Sequence, residues 1–198
     1  MKKTNIAEKY LTQQMISVPD LVCIGIMIVG FILISFVHHG GTAGVIVLFA
    51  GIAGLVFVRA SRVSDASFDN EVTRLLRDHD LSATEPGTLT AYDLTRTPVV
   101  KGHDGAWRSS VFILTKITVA NGQCHARWYE ADLIARTVRE NQLTVDLPAN
   151  IYVTEKELII KDKGNVMTHG LHFPDGTSIP ITTSTMAFEI VKKKLRLQ

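Results

Sequence analysis

Leu21–Val58 constrains the chain more than any other stretch: 38 consecutive residues hold no Lys, Arg, Asp or Glu. The segment divides at His38-His39-Gly40-Gly41-Thr42 into two apolar runs, Leu21–Val37 and Ala43–Val58. As a helix each run is roughly 25 Å long at about 1.5 Å per residue. That is a little under the ~30 Å of bilayer hydrocarbon. Uncharged Val18 and Thr42 extend the spans, and slight bilayer thinning covers the rest. A helix apolar on every face needs lipid or a large core around it. A chain of 198 residues has little core to hold two of them. The expectation is a transmembrane hairpin; the competing reading is a hairpin buried in a soluble core.

The linker is too short to be a domain, so the spans are antiparallel and both termini share one side. Lys2, Lys3 and Lys9 precede the first span, Arg59 and Arg62 follow the second, and the linker has no Lys or Arg. The positive-inside rule then places both ends in the cytoplasm, with His38 and His39 on the outside or periplasmic side as an interfacial turn. Gly44 and Gly51 are seven apart, and Ala50 and Gly54 have small-xxx-small spacing. Small residues let helix backbones approach closely in lipid. They serve to pack the two helices together, or to bring two copies of the chain together as a homo-oligomer.

The chain reads as an N-terminal interfacial helix (1–19), the hairpin (20–59), an amphipathic connecting helix (60–80) and a cytosolic α+β domain (81–198). About 140 residues lie outside the hairpin, enough for one domain. Three of the 21 basic residues and two of the 19 acidic ones precede Val58, leaving 18 and 17 beyond it. This near balance excludes the broad basic face of a nucleic-acid binder. Cys23 lies in a span and Cys124 in the domain, so they do not pair, and a reducing compartment suits both. The late apolar run, followed at once by a second, does not resemble a cleavable signal peptide.

Ala7, Leu11, Met15 and Val18 make one stripe over Thr4–Ser17, as in a helix lying at the membrane surface. Pro19-Asp20 ends it and opens the first span, with Asp20 as a cap. Phe68, Val72, Leu75 and Leu76 make a second stripe after Ser64 or Asp65. From Leu81 the texture changes to strands and turns. Thr88–Asp93, Val99–Lys101 and Trp107–Ala120 read as strands. Asn121-Gly122 is a favoured type I′ turn returning into Gln123–Tyr129. A two-residue turn pairs Val119 with Cys124, Ile117 with Ala126 and Thr115 with Trp128. The other face of that hairpin carries Lys116, Thr118, His125 and Arg127. Glu130–Asn141 reads as a short helix and Leu143–Leu147 as a strand. Ile151–Val153 and Glu157–Lys161 read as a pair about Thr154-Glu155-Lys156. Val166–Phe173 and Thr177–Ile181 flank a Pro174-Asp175-Gly176 turn. A helix over Ser184–Leu197 closes the chain with Lys192, Lys193, Lys194 and Arg196, a cluster that complements the helix dipole or touches anionic lipid.

No catalytic signature emerges. G-x-S-x-G, the phosphate-binding G-x-x-x-x-G-K-[ST], a G-x-G-x-x-G after a strand and H-E-x-x-H are all missing. His169 and His172 are three apart on a strand and face opposite sides, so they do not chelate a metal together. Cys124 and His125 point apart in the same way. Trp107 and Trp128 read as packing residues. No catalytic residue, cofactor or metal is expected.

Tyr152-Val-Thr-x-x-x-Leu158-Ile-Ile-Lys161, a β-rich domain, a closing helix and a preceding hairpin resemble bacterial membrane proteins with PH-like domains. The resemblance covers about ten residues and implies a seven-stranded barrel capped by a helix, binding proteins or lipids. It departs in position, since the Y-x-x-T hairpin comes early in that family. By layout the chain also looks like the small inner-membrane exclusion and accessory proteins of bacterial conjugation systems. The expectation is therefore a non-enzymatic inner-membrane protein whose cytosolic domain binds membrane or cytosolic proteins. The interaction candidates are Lys116, His125, Arg127 and the basic final helix, with Gly44, Ala50, Gly51 and Gly54 as the packing residues of the spans. The rivals are a lipid-binding domain and a membrane enzyme acting on lipid, for which His38, His39, Asp65 and Asp69 are the nearby polar residues.

Overall fold

The computed structural model describes residues 5–13, 17–36, 41–161 and 163–197. It divides into two compact units: Thr12–Ser64, and a second made of Met1–Leu11 joined to Asp65–Gln198. The first unit is therefore an insertion between two pieces of the second.

The inserted unit is a helical hairpin. Helix α2 (Val18–Phe36) follows the short α1 (Ile6–Thr12) and is succeeded by α3 (Gly41–Ala60). The two candidate spans reach mean hydropathies of 2.4 and 2.3 over 18 residues, long and apolar enough to cross a membrane. Their side chains point mostly outward: Phe36 is 82% and Phe57 77% exposed. A hairpin filling a soluble core would show the reverse. His38, His39 and Gly40 lie outside the described residues.

Glycines make the seam of this hairpin. A Cβ on Gly44 would stand 2.8 Å from the Gly30 carbonyl oxygen, and one on Gly51 3.0 Å from the Cys23 carbonyl oxygen. Gly54 faces Cys23 Sγ, whereas Ala50 is exposed and takes no part. At the open end, Ser17 precedes the first helical residue and Asp20 reaches back to accept its backbone N–H at 2.6 Å. The Ser17 hydroxyl donates to the same Asp20 oxygen at 2.6 Å, so the carboxylate holds both the backbone and the side chain of the residue before the helix. Arg62 donates to the same carboxylate. Gln13 donates to the Val63 carbonyl at 2.9 Å and accepts the Val63 N–H at 3.1 Å, tying the two ends together.

The second unit is α+β. Its strands are β1 (Thr88–Tyr92), β2 (Val99–Lys101), β3 (Trp107–Ser109), β4 (Val111–Ala120), β5 (Gln123–Asp132), β6 (Thr137–Asp146), β7 (Tyr152–Ile160), β8 (Gly164–His172) and β9 (Ser178–Ile181). They form an antiparallel sheet of order β1-β4-β5-β6, a second of order β7-β8-β9, and a small β2-β3 hairpin. Helices α4 (Asp65–Asp78) and α5 (Met186–Leu195) flank them. The core lies between the two sheets and α5, around Leu89, Ile113, Ile117, Leu171, Phe188 and Val191.

The Asn121-Gly122 turn has positive φ at both residues, 51° and 76°, and sets the register Val119↔Cys124, Ile117↔Ala126, Thr115↔Trp128. Three elements differ from the sequence reading. Glu130–Asn141 is not a helix: β5 and β6 continue through it and pair Trp128 with Asn141. Between them Asp132 Oδ1 accepts the N–H groups of Ile134 and Ala135, and Arg136 turns left-handed at φ 57°. Tyr152–Ile160 is one unbroken strand paired with β8, not two strands about a turn. Thr185, not Ser184, caps α5, accepting the Phe188 N–H at 3.2 Å.

The apolar stripe of α1 also finds a different partner. Ala7, Tyr10 and Leu11 are buried in the domain, and Tyr10 stacks on Phe68 of α4 at 4.4 Å. Asn5 donates to the carbonyls of Leu133 and Ile134. Phe68 continues to Tyr92 and Tyr92 to Phe112, an aromatic chain joining α1, α4, β1 and β4. These helices dry the outer face of the first sheet at Phe112 and Leu114. Further along the same strands Thr118, His125 and Arg127 stay exposed.

Candidate functional site

Two constellations stand out in the domain. The first is polar and centres on Arg108, only 4% exposed. Its guanidinium makes two bidentate pairs: Nε and Nη2 to Asp69 at 2.9 and 2.8 Å, and Nη1 and Nη2 to Asp104 at 2.9 and 2.7 Å. Asp69 also accepts from the Tyr92 hydroxyl at 3.2 Å. Asp65 accepts from the Tyr10 hydroxyl at 2.7 Å and from the Asp104 N–H at 3.1 Å. Gly102 makes room, since a Cβ there would collide with the Arg108 guanidinium and both the Asp65 and Asp104 carboxylates. Arg108 holds the Asp104 carboxyl well below its usual range. Burial pushes Asp65 up, but the hydrogen bonds from Tyr10 and the Asp104 N–H outweigh it and leave the carboxyl lowered. Burial, then the neighbouring carboxylates, raise both Tyr10 and Tyr92. Asp65 and Asp69, the acids an enzymatic reading would use, are thus committed to structural partners that hold α1, α4 and the β2–β3 hairpin together.

The second constellation is a cleft of about 780 Å³. One wall is the end of β1 with the following loop, Thr90–Arg96, and Trp107. Another is β8 from Met167 to His172 and the segment Ser178–Ser184. Ile113 and Trp128 line it from the first sheet, Thr154 and Lys156 from β7. Its lining is mixed: two indoles and the half-exposed Met167, with hydroxyls and both signs of charge around them. Within it His172 Nε2 stands 2.7 Å from Thr154 Oγ1 and 3.3 Å from Ser178 Oγ, with Tyr152 stacked on the ring. Both hydroxyls share one ring nitrogen, and among the described residues no carboxylate orients the other. Among the described residues, His172 is therefore not part of a nucleophile–base–orienter chain. His169 bonds Glu155 at 2.8 Å instead, so the two histidines go separate ways. Among the described residues no cluster of three metal-ligating side chains occurs.

The residues singled out from sequence lie elsewhere. Lys116 and Arg127 face each other across β4 and β5, but each has an acidic partner: Glu85 at 2.7 Å and Glu140 at 3.2 Å. His125 meets Thr144 at 3.0 Å. Lys193, Lys194 and Arg196 are exposed at the end of α5, and Lys192 is half-buried. Lys194 Nζ comes within 3.8 Å of where a side chain at Gly87 would start, two residues from the Glu85 that holds Lys116. The structure thus brings the two basic groups to the segment 85–88 and places neither in the cleft. Sequence reasoning missed the cleft. Its one signal was the pair of tryptophans, which line it rather than only filling core.

No family model, curated protein or solved structure matches this chain.

Proposed function

We propose that the chain is a membrane-anchored interaction protein, with a PH-like domain that holds another protein at the inner face of a bacterial cytoplasmic membrane. The observation that carries the reading is the cleft: large, lined by Trp107, Trp128 and Met167 among polar groups, and without a catalytic chain. The PH-like reading is supported by strand order. Leaving aside the β2–β3 hairpin, the domain is a four-stranded meander, a three-stranded meander and a closing helix. The membrane topology is supported by connectivity. The helices on either side of the hairpin, α1 and α4, belong to one folded unit, so both ends of a spanning hairpin leave the bilayer on one side.

A second reading, docking on anionic lipid, has the exposed Lys193, Lys194 and Arg196 in its favour. A photo-crosslinking amino acid placed singly at Met167, Arg127 and Lys193 in native membranes separates the two. A discrete protein adduct from at least one position, identified by mass spectrometry, is the expected result. Lipid adducts alone, or none at any position, would overturn the interaction reading. The adduct would also name the system served, conjugation or another.

A further inference from the structure

We propose that β8 receives an extended segment of a partner protein as an added strand along Gly164–Thr168. The inference rests on the interaction reading above and specifies how the partner is held.

The second sheet is incomplete. β8 has nine residues and β9 four, and β9 pairs only with His169–His172. Continued past Ile181, the chain would pair with Thr168 and Met167. It turns away instead, because Thr185 fixes the start of α5 four residues on. Its hydroxyl accepts the Phe188 N–H and donates to the Thr182 carbonyl at 3.3 Å. Among the described residues no strand flanks Gly164–Thr168 on that side. Backbone N–H and C=O groups demand partners, and an open edge is a template for another strand.

The edge strands β6, β7 and β9 are protected. β9 contains Pro180, which has no N–H to donate. β6 carries Arg139, Glu140 and Asp146, and β7 carries Glu155, Lys156 and Glu157. Gly-Asn-Val-Met-Thr over 164–168 has neither charge nor proline. The cleft opens beside this half-strand: Met167 and Thr168 line it, as does Thr182–Ser184, where β9 stops.

The walls specify the occupant. Side chains of an added strand alternate between two environments. On the side of Met167 and His169, which is also that of the buried Leu171, lie Ile113 and Trp128, while the β7 register partners Glu157 and Glu155 are bonded to Asn165 and His169. On the side of Thr168 lies Lys156, its register partner in β7; Arg96 in the far wall is paired with Asp93 at 3.6 Å, which leaves Lys156 as the cation for an acidic side chain. The segment that fits has about five extended residues, roughly 17 Å, with apolar side chains alternating with acidic ones.

A phage-displayed random decapeptide library, panned on the detergent-solubilised full chain, tests this. Enriched peptides are expected to alternate apolar and acidic residues. Synthesised, they should slow amide exchange within Asn165–Thr168 at least about tenfold. Met167→Lys should abolish their binding at unchanged melting temperature, and Met167→Leu should retain it. Peptides that protect β5 or α5 instead would overturn the strand slot while leaving the interaction reading standing. No enrichment above background would overturn it too. So would protection of Asn165–Thr168 that rises with protein concentration alone, since a second copy would then fill the slot.

Discussion

Arg108 orders the outer layer of the domain by itself. Its four charge-assisted hydrogen bonds reach Asp69 on α4 and Asp104 in the β2–β3 turn. Removing the guanidinium leaves two half-exposed carboxylates without their shared partner, so Arg108→Ala should cost about 2–3 kcal/mol in chemical denaturation of the protein. The same cluster sets the pH range of stability. Asp104 and Asp65 have lowered folded pKa values, so their contribution is complete above about pH 4 and is lost as pH falls further. Tyr10 and Tyr92 have raised values, so theirs is complete below about pH 10 and lost above it. The cluster's own contribution to melting temperature should be flat between these limits, and Tyr92→Phe should shallow the alkaline limb only. Thr115 is fully buried and its hydroxyl has no partner among the described residues. Thr115→Val, of the same shape, should stabilise by about 1 kcal/mol in the same denaturation assay. None of this was legible in the sequence. Tyr10, Asp65, Asp69, Asp104 and Arg108 are separated by up to about a hundred positions, and only the fold brings them together.

Elements were legible where local chemistry and tertiary demand agree. Asn121-Gly122 reads as a hairpin because both residues tolerate the positive φ they adopt, and the strands on either side take the register that the turn dictates. Glu130–Asn141 reads as a short helix with Leu133, Ile134 and Val138 as its apolar residues. The chain instead continues the ladder, with Asp132 closing a tight turn on its own backbone. The cleft was not legible, because seven separate segments line it. The α2–α3 seam has a sharp test. A side chain at Gly44 would meet backbone atoms of α2 below 3 Å, so Gly44→Leu should force the helices apart. A cysteine pair placed across the seam should then lose its crosslink, while Ala50→Leu, on the exposed face, should leave it unchanged. At the other end of the chain, Thr185→Ala should cost about 1 kcal/mol through loss of the α5 cap.

The whole molecule is a folded domain interrupted by an apolar hairpin. The interruption explains why α1 precedes the hairpin and yet packs on α4, which follows it. It also ties the two ends of the hairpin to one body, which is the strongest support for a spanning hairpin with both ends on the same side. Single cysteines at Ile6, Thr42 and Lys161, probed with a membrane-impermeant maleimide in intact cells and in inverted vesicles, test this most directly. Ile6 and Lys161 should label together from the cytoplasmic side and Thr42 only from the other. Labelling of all three from one side, or of Ile6 and Lys161 from opposite sides, would contradict it.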